Sequence, residues 1–226
     1  MACKPAPEPS SKRAAGPSVR ATVVTLRTAL HPENRTIVST LVIAGDRARD
    51  TSERDVWRLY DVKARTVTFV DDVEKTARTE TLDALLRKRR AALSANAAAF
   101  HPRPSIARGG ARRTIQNATA EQWVIEAGTY RRELWMADHP SIPRGLYAMM
   151  LASESVSSPL APLMREVDTS LTSASGFPLA DRSEIPMGTP PMIVERNVTS
   201  IAQREVPESW LTVPRGYRDT STNNEK

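Results

Sequence analysis

Asp55-Val56-Trp57-Arg58-Leu59-Tyr60 and Arg65-Thr66-Val67-Thr68-Phe69-Val70, separated by Asp61-Val62-Lys63-Ala64 and closed by Asp71-Asp72, decide the architecture of this chain. Each run alternates apolar and polar residues with a period of two, the mark of a strand with one buried face. Trp57 and Leu59 fall on one face of the first, and Val67 and Phe69 on one face of the second. The polar quartet between them is turn chemistry, so the pair reads as a hairpin.

Working upstream, Val19 to Leu30 is rich in β-branched residues and alternates imperfectly, which suits an edge-proximal strand. His31-Pro32-Glu33-Asn34-Arg35 supplies a turn, Thr36 to Ala44 a second strand, and Gly45-Asp46 a break. The expectation is a four-strand antiparallel meander ending at Asp71-Asp72.

Downstream, residues 81 to 94 carry Leu82, Leu85, Leu86 and Leu93 on one helical stripe. Thr81 is placed to cap that helix, Asp83 suits its N-terminal dipole, and Arg87-Lys88-Arg89-Arg90 lies where cations are favoured. Residues 95 to 119 lose all periodicity and read as a long mobile loop. Gln122 to Glu126 and Thr129 to Ala137 form a second hairpin around Ala127-Gly128, with Trp123 and Ile125 on one face. Tyr130, Leu134 and Met136 share a face that Arg132 interrupts. Residues 140 to 175 read as a helical insert: Arg144 to Ala152 carries Leu146, Met149, Met150 and Leu151, and a helix after Ser158 carries Leu160, Leu163, Met164, Val167 and Leu171. Gly176-Phe177-Pro178-Leu179 turns the chain back, Met192 to Ile201 is a strand, and Trp210 to Tyr217 a closing one. This order predicts an α+β fold in which one curved antiparallel sheet wraps around helices. The expected domain is 19 to 217, between a flexible tether of 1 to 18 and a disordered tail of 218 to 226.

Composition narrows the chemistry. With 226 residues, 40% of them hydrophobic, the chain can bury one sizeable core. A single cysteine, Cys3, excludes an intrachain disulfide, and the apolar runs fall short of the ~18 residues needed to span a bilayer. The net charge of +6 favours anionic surfaces, but lysine and arginine are scattered and rarely alternate with aromatics, which argues against a nucleic-acid platform. A polyanion reading would rest on Arg87-Lys88-Arg89-Arg90 together with Arg103, Arg108, Arg112 and Arg113.

Catalytic signatures are absent. His31, His101 and His139 each adjoin a proline in a turn, without the spacing of a metal site or a nucleophile beside them. No nucleophile elbow, phosphate loop, dinucleotide fingerprint or zinc-protease motif occurs, so no metal, cofactor or catalytic residue is expected. Large apolar groups are instead prominent: Trp57, Phe69, Leu85, Leu86, Trp123, Leu134, Met149, Met150, Leu163 and Met164 are the candidate lining of a hydrophobic cavity. An ordinary packed core uses the same residues, and an interaction module with a filled interior stays open beside the cavity reading. So does an enzyme built on carboxylates that the sequence alone does not pair.

Met1-Ala2-Cys3, followed by Lys4-Pro5-Ala6-Pro7-Glu8-Pro9, resembles the start of a mature bacterial lipoprotein, which would make Cys3 a lipid-attachment site and a membrane tether. Leu59-Tyr60-Asp61, Val67 to Asp72, Ile125 to Met136, Gly176-Phe177-Pro178-Leu179 and Val213-Pro214-Arg215-Gly216-Tyr217, in that order, are similar to uncharacterised bacterial envelope proteins related to the LolA and LolB lipoprotein carriers. The resemblance covers residues 19 to 217. It implies an unclosed β-barrel bent around a helical plug, a lipid or lipoprotein as ligand, no catalysis, and a periplasmic or membrane-anchored location in the bacterial envelope.

Overall fold

The structure is a computed structural model that describes residues 16–51, 55–95, 104–154, 171–172, 176–186 and 188–221. Its frame is one 12-stranded sheet. In chain order the strands are β1 (Ser18–His31), β2 (Arg35–Ala44), β3 (Arg47–Asp50), β4 (Val56–Asp61), β5 (Thr66–Asp71), β6 (Thr76–Thr81), β7 (Ser105–Ile115), β8 (Ala118–Ala127), β9 (Tyr130–Ala137), β10 (Phe177–Ile185), β11 (Met192–Pro207) and β12 (Arg218–Asp219). Helix α1 (Leu82–Ala95) follows β6, and α2 (Leu146–Ser153) follows β9. Across the sheet the order is β12-β6-β5-β4-β3-β2-β1-β11-β10-β9-β8-β7, so the edges are β12 and β7 and the barrel is open. Every pairing is antiparallel except β12 on β6.

Two meanders therefore meet at a seam between β1 and β11, paired from Ser18↔Pro207 to His31↔Ile193. Strand β1 is central rather than edge-proximal. Its run Ala21-Thr22-Val23-Val24, β-branched after the alanine, is buried on both faces, which explains why its alternation looks imperfect.

The sheet curls around α2. Tyr60 on β4 meets Ser153 of α2, with Oη and Oγ 3.2 Å apart, while Arg132 on β9 donates from Nη2 to the Tyr147 hydroxyl at 3.2 Å. In a flat sheet β4 and β9 would lie about 29 Å apart, at ~4.8 Å per strand spacing. Tyr147 and Ser153 are only about 9 Å apart along a helix axis. Side chains stand roughly perpendicular to a sheet, so the strands themselves must bend to bring both walls to one short helix. Helix α2 is buried on nearly all sides, from Leu146 and Tyr147 to Ala152 and Ser153, as a plug must be.

Helix α1 begins as its sequence dictates: the Ala84 N–H donates to Thr81 Oγ1 at 3.2 Å, and Leu82 and Leu85 are buried. Arg89 is buried too, and its Nη1 donates to the Glu154 carbonyl at 3.0 Å, tying α1 to the end of α2.

Several expectations need correction. The first meander has six strands because Arg47-Ala48-Arg49-Asp50 and Thr76 to Thr81 also pair, despite carrying few apolar groups. The stretch expected as a loop at 95–119 contains β7 and the start of β8. Arg108, Arg112 and Arg113 occupy an exposed edge, where charge is the usual composition. Residues 177–185 form β10, and Gly176 just before it permits close passage, since a Cβ there would lie 3.1 Å from the Ala137 carbonyl oxygen. Pro178 sits at a register shift against β9, the position a strand proline tolerates. Trp210 to Tyr217 is not a strand: a 3-10 turn at Glu208–Leu211 leads to an irregular strap, and the two-residue β12 falls within the span expected as a disordered tail. Of the tether expected at 1–18, Ser18 already begins β1 and residues 1–15 with Cys3 lie outside the described residues, as do the helix expected after Ser158 up to residue 170 and residues 222–226.

Candidate functional site

The inner face of the curl is one apolar mass. Leu85, Trp123, Leu134 and Met149 belong to it, with Leu41, Tyr60, Val67, Ile125, Leu146, Leu171 and Leu179. Phe69, Leu86 and Met150 are partly buried against it. These candidates come from β5, α1, β8, β9 and α2, so the fold gathers residues that lie far apart in the chain. Trp57 is placed elsewhere. It is 2% exposed in a separate cluster with Val70 and Ala77, flanked by Leu59 and Tyr217. Alternation with Tyr60 puts it on the outer face, under the C-terminal strap. Leu163, Met164 and Cys3 lie outside the described residues.

Polar groups are set into this face at two places. Arg132 is 9% exposed and makes a fork with Asp181 of β10, Nε to Oδ1 at 2.9 Å and Nη2 to Oδ2 at 2.7 Å. Burial favours the neutral guanidine, but the Asp181 carboxylate outweighs it and holds Arg132 protonated well beyond its ordinary range. Burial also pushes the Tyr147 phenol up to about 12, and raises Tyr130. At the other wall, burial raises the Tyr60 hydroxyl, which contacts Ser153, whose Oγ donates to the Met150 carbonyl at 2.8 Å. These side chains have partners within the fold, which marks them as a scaffold that fixes α2 against both walls. The sequence carried one clue to them: an arginine interrupting the apolar face Tyr130, Leu134, Met136 requires a buried carboxylate.

Phe69 marks where this face becomes polar. The guanidinium of Arg78 lies 5.1 Å and that of Arg58 6.0 Å from its ring centre, on the neighbouring strands. Four hollows of about 410, 330, 370 and 190 Å³ occur among the described residues. They lie around Asp138 to Arg144, along Arg27 to Thr36, near Pro32 and Pro190, and beside Trp135 and Arg182. None of the apolar candidates lines these four. His139 is held locally, its Nδ1 accepting the Ser141 N–H at 3.2 Å, and burial lowers its pKa. Among the described residues, no three His, Cys, Asp or Glu side chains converge to hold a metal ion, and no helix is long and apolar enough to cross a membrane.

Comparison with known proteins gives fold-level likeness only. No family model and no curated protein matches the chain. Among solved structures it is similar to PNGF-II in a C2 crystal form, with 9% identity, a TM-score of 0.49 and coverage of 91% of this chain and 31% of that one. A P21 form of PNGF-II gives 11% identity, a TM-score of 0.45 and coverage of 90% and 32%. This chain thus spans about a third of PNGF-II. A LolA superfamily protein, NE2245 from Nitrosomonas europaea, is 12% identical with a TM-score of 0.30, covering 86% of this chain and 90% of that one. At these values no residue role is carried over from either.

Proposed function

We propose that this protein is a non-enzymatic component of the bacterial cell envelope that binds a lipid, a lipoprotein or another hydrophobic ligand at the inner face of its curved sheet. One observation carries the reading: at the plug α2, which is otherwise buried, the apolar side chains of Phe69, Leu86 and α2's own Met150 stay only partly covered. Burying such surface against an acyl chain is favourable by roughly 25 cal/mol per Å². Periplasmic placement and tethering through a lipidated Cys3 belong to the same proposal, since a tether would present the domain to membrane lipid.

The test is native mass spectrometry of the delipidated protein with added palmitate and phosphatidylglycerol, alongside Leu86→Asp and Met150→Asp. Ligand uptake by the parent and its loss in both variants is expected. A clean apo protein that ignores both lipids ends the proposal. A second reading, a filled interaction module, is favoured by Leu134, Leu146, Leu171 and Leu179, each 0% exposed. It predicts that clean apo spectrum.

A further inference from the structure

The outer edge of β7 carries an inference that does not depend on the apolar ligand. Among the described residues β7 has a neighbour on one side only, and apart from Ile106 and Ile115 all of its residues are exposed. It pairs with β8 over Ser105–Arg108 and Arg112–Ile115, with an irregularity at Gly109-Gly110-Ala111 between the two stretches. Its unpaired edge is therefore a row of backbone donors and acceptors of the kind an extended chain can complete.

Three arginines decide which chain. The guanidinium of Arg108 lies 4.3 Å from the ring centre of Trp123, and that of Arg113 lies 3.9 Å from the ring centre of Trp135. Trp123 faces Leu134 and Trp135 faces Gln122, and these are successive residues on both strands, so the two rings stand on opposite faces of the sheet. Each arginine is thus held in place on its own face. Stacking uses the flat face of a guanidinium and leaves its in-plane N–H donors turned outward, ready for a carboxylate. Among the described residues neither Arg108 nor Arg113 has a carboxylate partner. Arg112 adds a third charge, only loosely balanced at 3.7 Å by Glu121, with the arginine largely exposed and the glutamate half-buried.

We propose that the β7 edge is a docking site for an acidic, extended segment of a partner protein, which adds to the sheet as one further strand. A second copy of this chain is the wrong occupant, because β7 against β7 sets arginines against arginines. The irregularity shortens the span between the two stacked arginines: Arg108 pairs with Trp123 and Arg113 with Ala120, three residues apart on β8, or about 10 Å along the edge. The segment that fits is about four to six residues long, with two carboxylates three positions apart that reach the two faces of the sheet.

The probe is a labelled peptide of about six residues, valine-rich with two glutamates three positions apart, and a control with lysines in their place. Binding is read by fluorescence anisotropy and by hydrogen exchange on the full chain. The expected result is binding of the glutamate peptide alone, slowed exchange within 105–115, and an affinity that falls steeply with salt. Arg108→Gln with Arg113→Gln should weaken it about tenfold. The Lys/Lys pair should fall between, since charge is kept but the stacked fork is lost. Four outcomes would overturn the proposal: equal binding of both peptides, protection elsewhere in the sheet, a single-stranded DNA oligomer giving the same protection at the same affinity, or self-association through β7 in sedimentation.

Discussion

Asp181→Ala is the sharpest probe of how the sheet grips its plug. The substitution removes both carboxylate oxygens that receive Arg132, at 2.9 and 2.7 Å, and leaves the guanidinium with the Tyr147 hydroxyl at 3.2 Å. Arg132 is only 9% exposed, so water replaces the lost carboxylate poorly. Breaking a buried pair by deleting one partner costs about 3–5 kcal/mol, a large part of a domain's ~5–15 kcal/mol of stability. In urea, with an m-value near 2 kcal/mol/M, the midpoint should fall by about 2 M, followed by circular dichroism. The double change Arg132→Met with Asp181→Leu removes the stranded charge and should recover most of the loss. An Asp181→Ala variant within about 1 kcal/mol of the parent, or a double variant no better than the single one, would refute a structural role for the pair.

Three further outcomes are expected. Burial raises the Tyr147 phenol from 10.0 to about 12. Its contribution is therefore complete below about pH 10 and lost as pH climbs toward 12, on the order of 3 kcal/mol in all; Tyr147→Phe should flatten part of the alkaline fall in urea midpoint. Thr81→Ala deletes the oxygen that receives the Ala84 N–H and should cost about 1 kcal/mol, read as a lower melting temperature. Met149→Ala, at a side chain 2% exposed between the walls, should cost about 2–5 kcal/mol by urea titration, and a near-neutral result would mean that α2 is loosely seated.

Local signals were legible and non-local ones were not. Helix α1 could be read because Leu82 and Leu85 repeat at helical spacing after a capping threonine, and β4, β5, β8 and β9 because their apolar residues alternate between turns. Strand β6 escaped notice because Ala77 is its one apolar residue, and its pairing depends on backbone bonds to β5. Strand β7 was hidden by arginines whose alkyl stems and stacked heads cover tryptophans of the neighbouring hairpin, a contact invisible in one dimension. The Arg132–Asp181 fork joins residues 49 positions apart, and Trp57 lay on the wrong face because the strap over it arrives from the far end of the chain. Periodicity says which residues share a face, not which face will be the inner one.

The seam between β1 and β11 has a consequence for biogenesis. A chain emerging from a ribosome or a translocation pore delivers residue 18 long before residue 207, yet these two are register neighbours. Until β11 arrives, β1 waits with one flank bare, open to any extended chain nearby. A holding chaperone that favours valine-rich unpaired strands would shorten that vulnerable interval, and premature stops after α2 should aggregate rather than remain as partial domains.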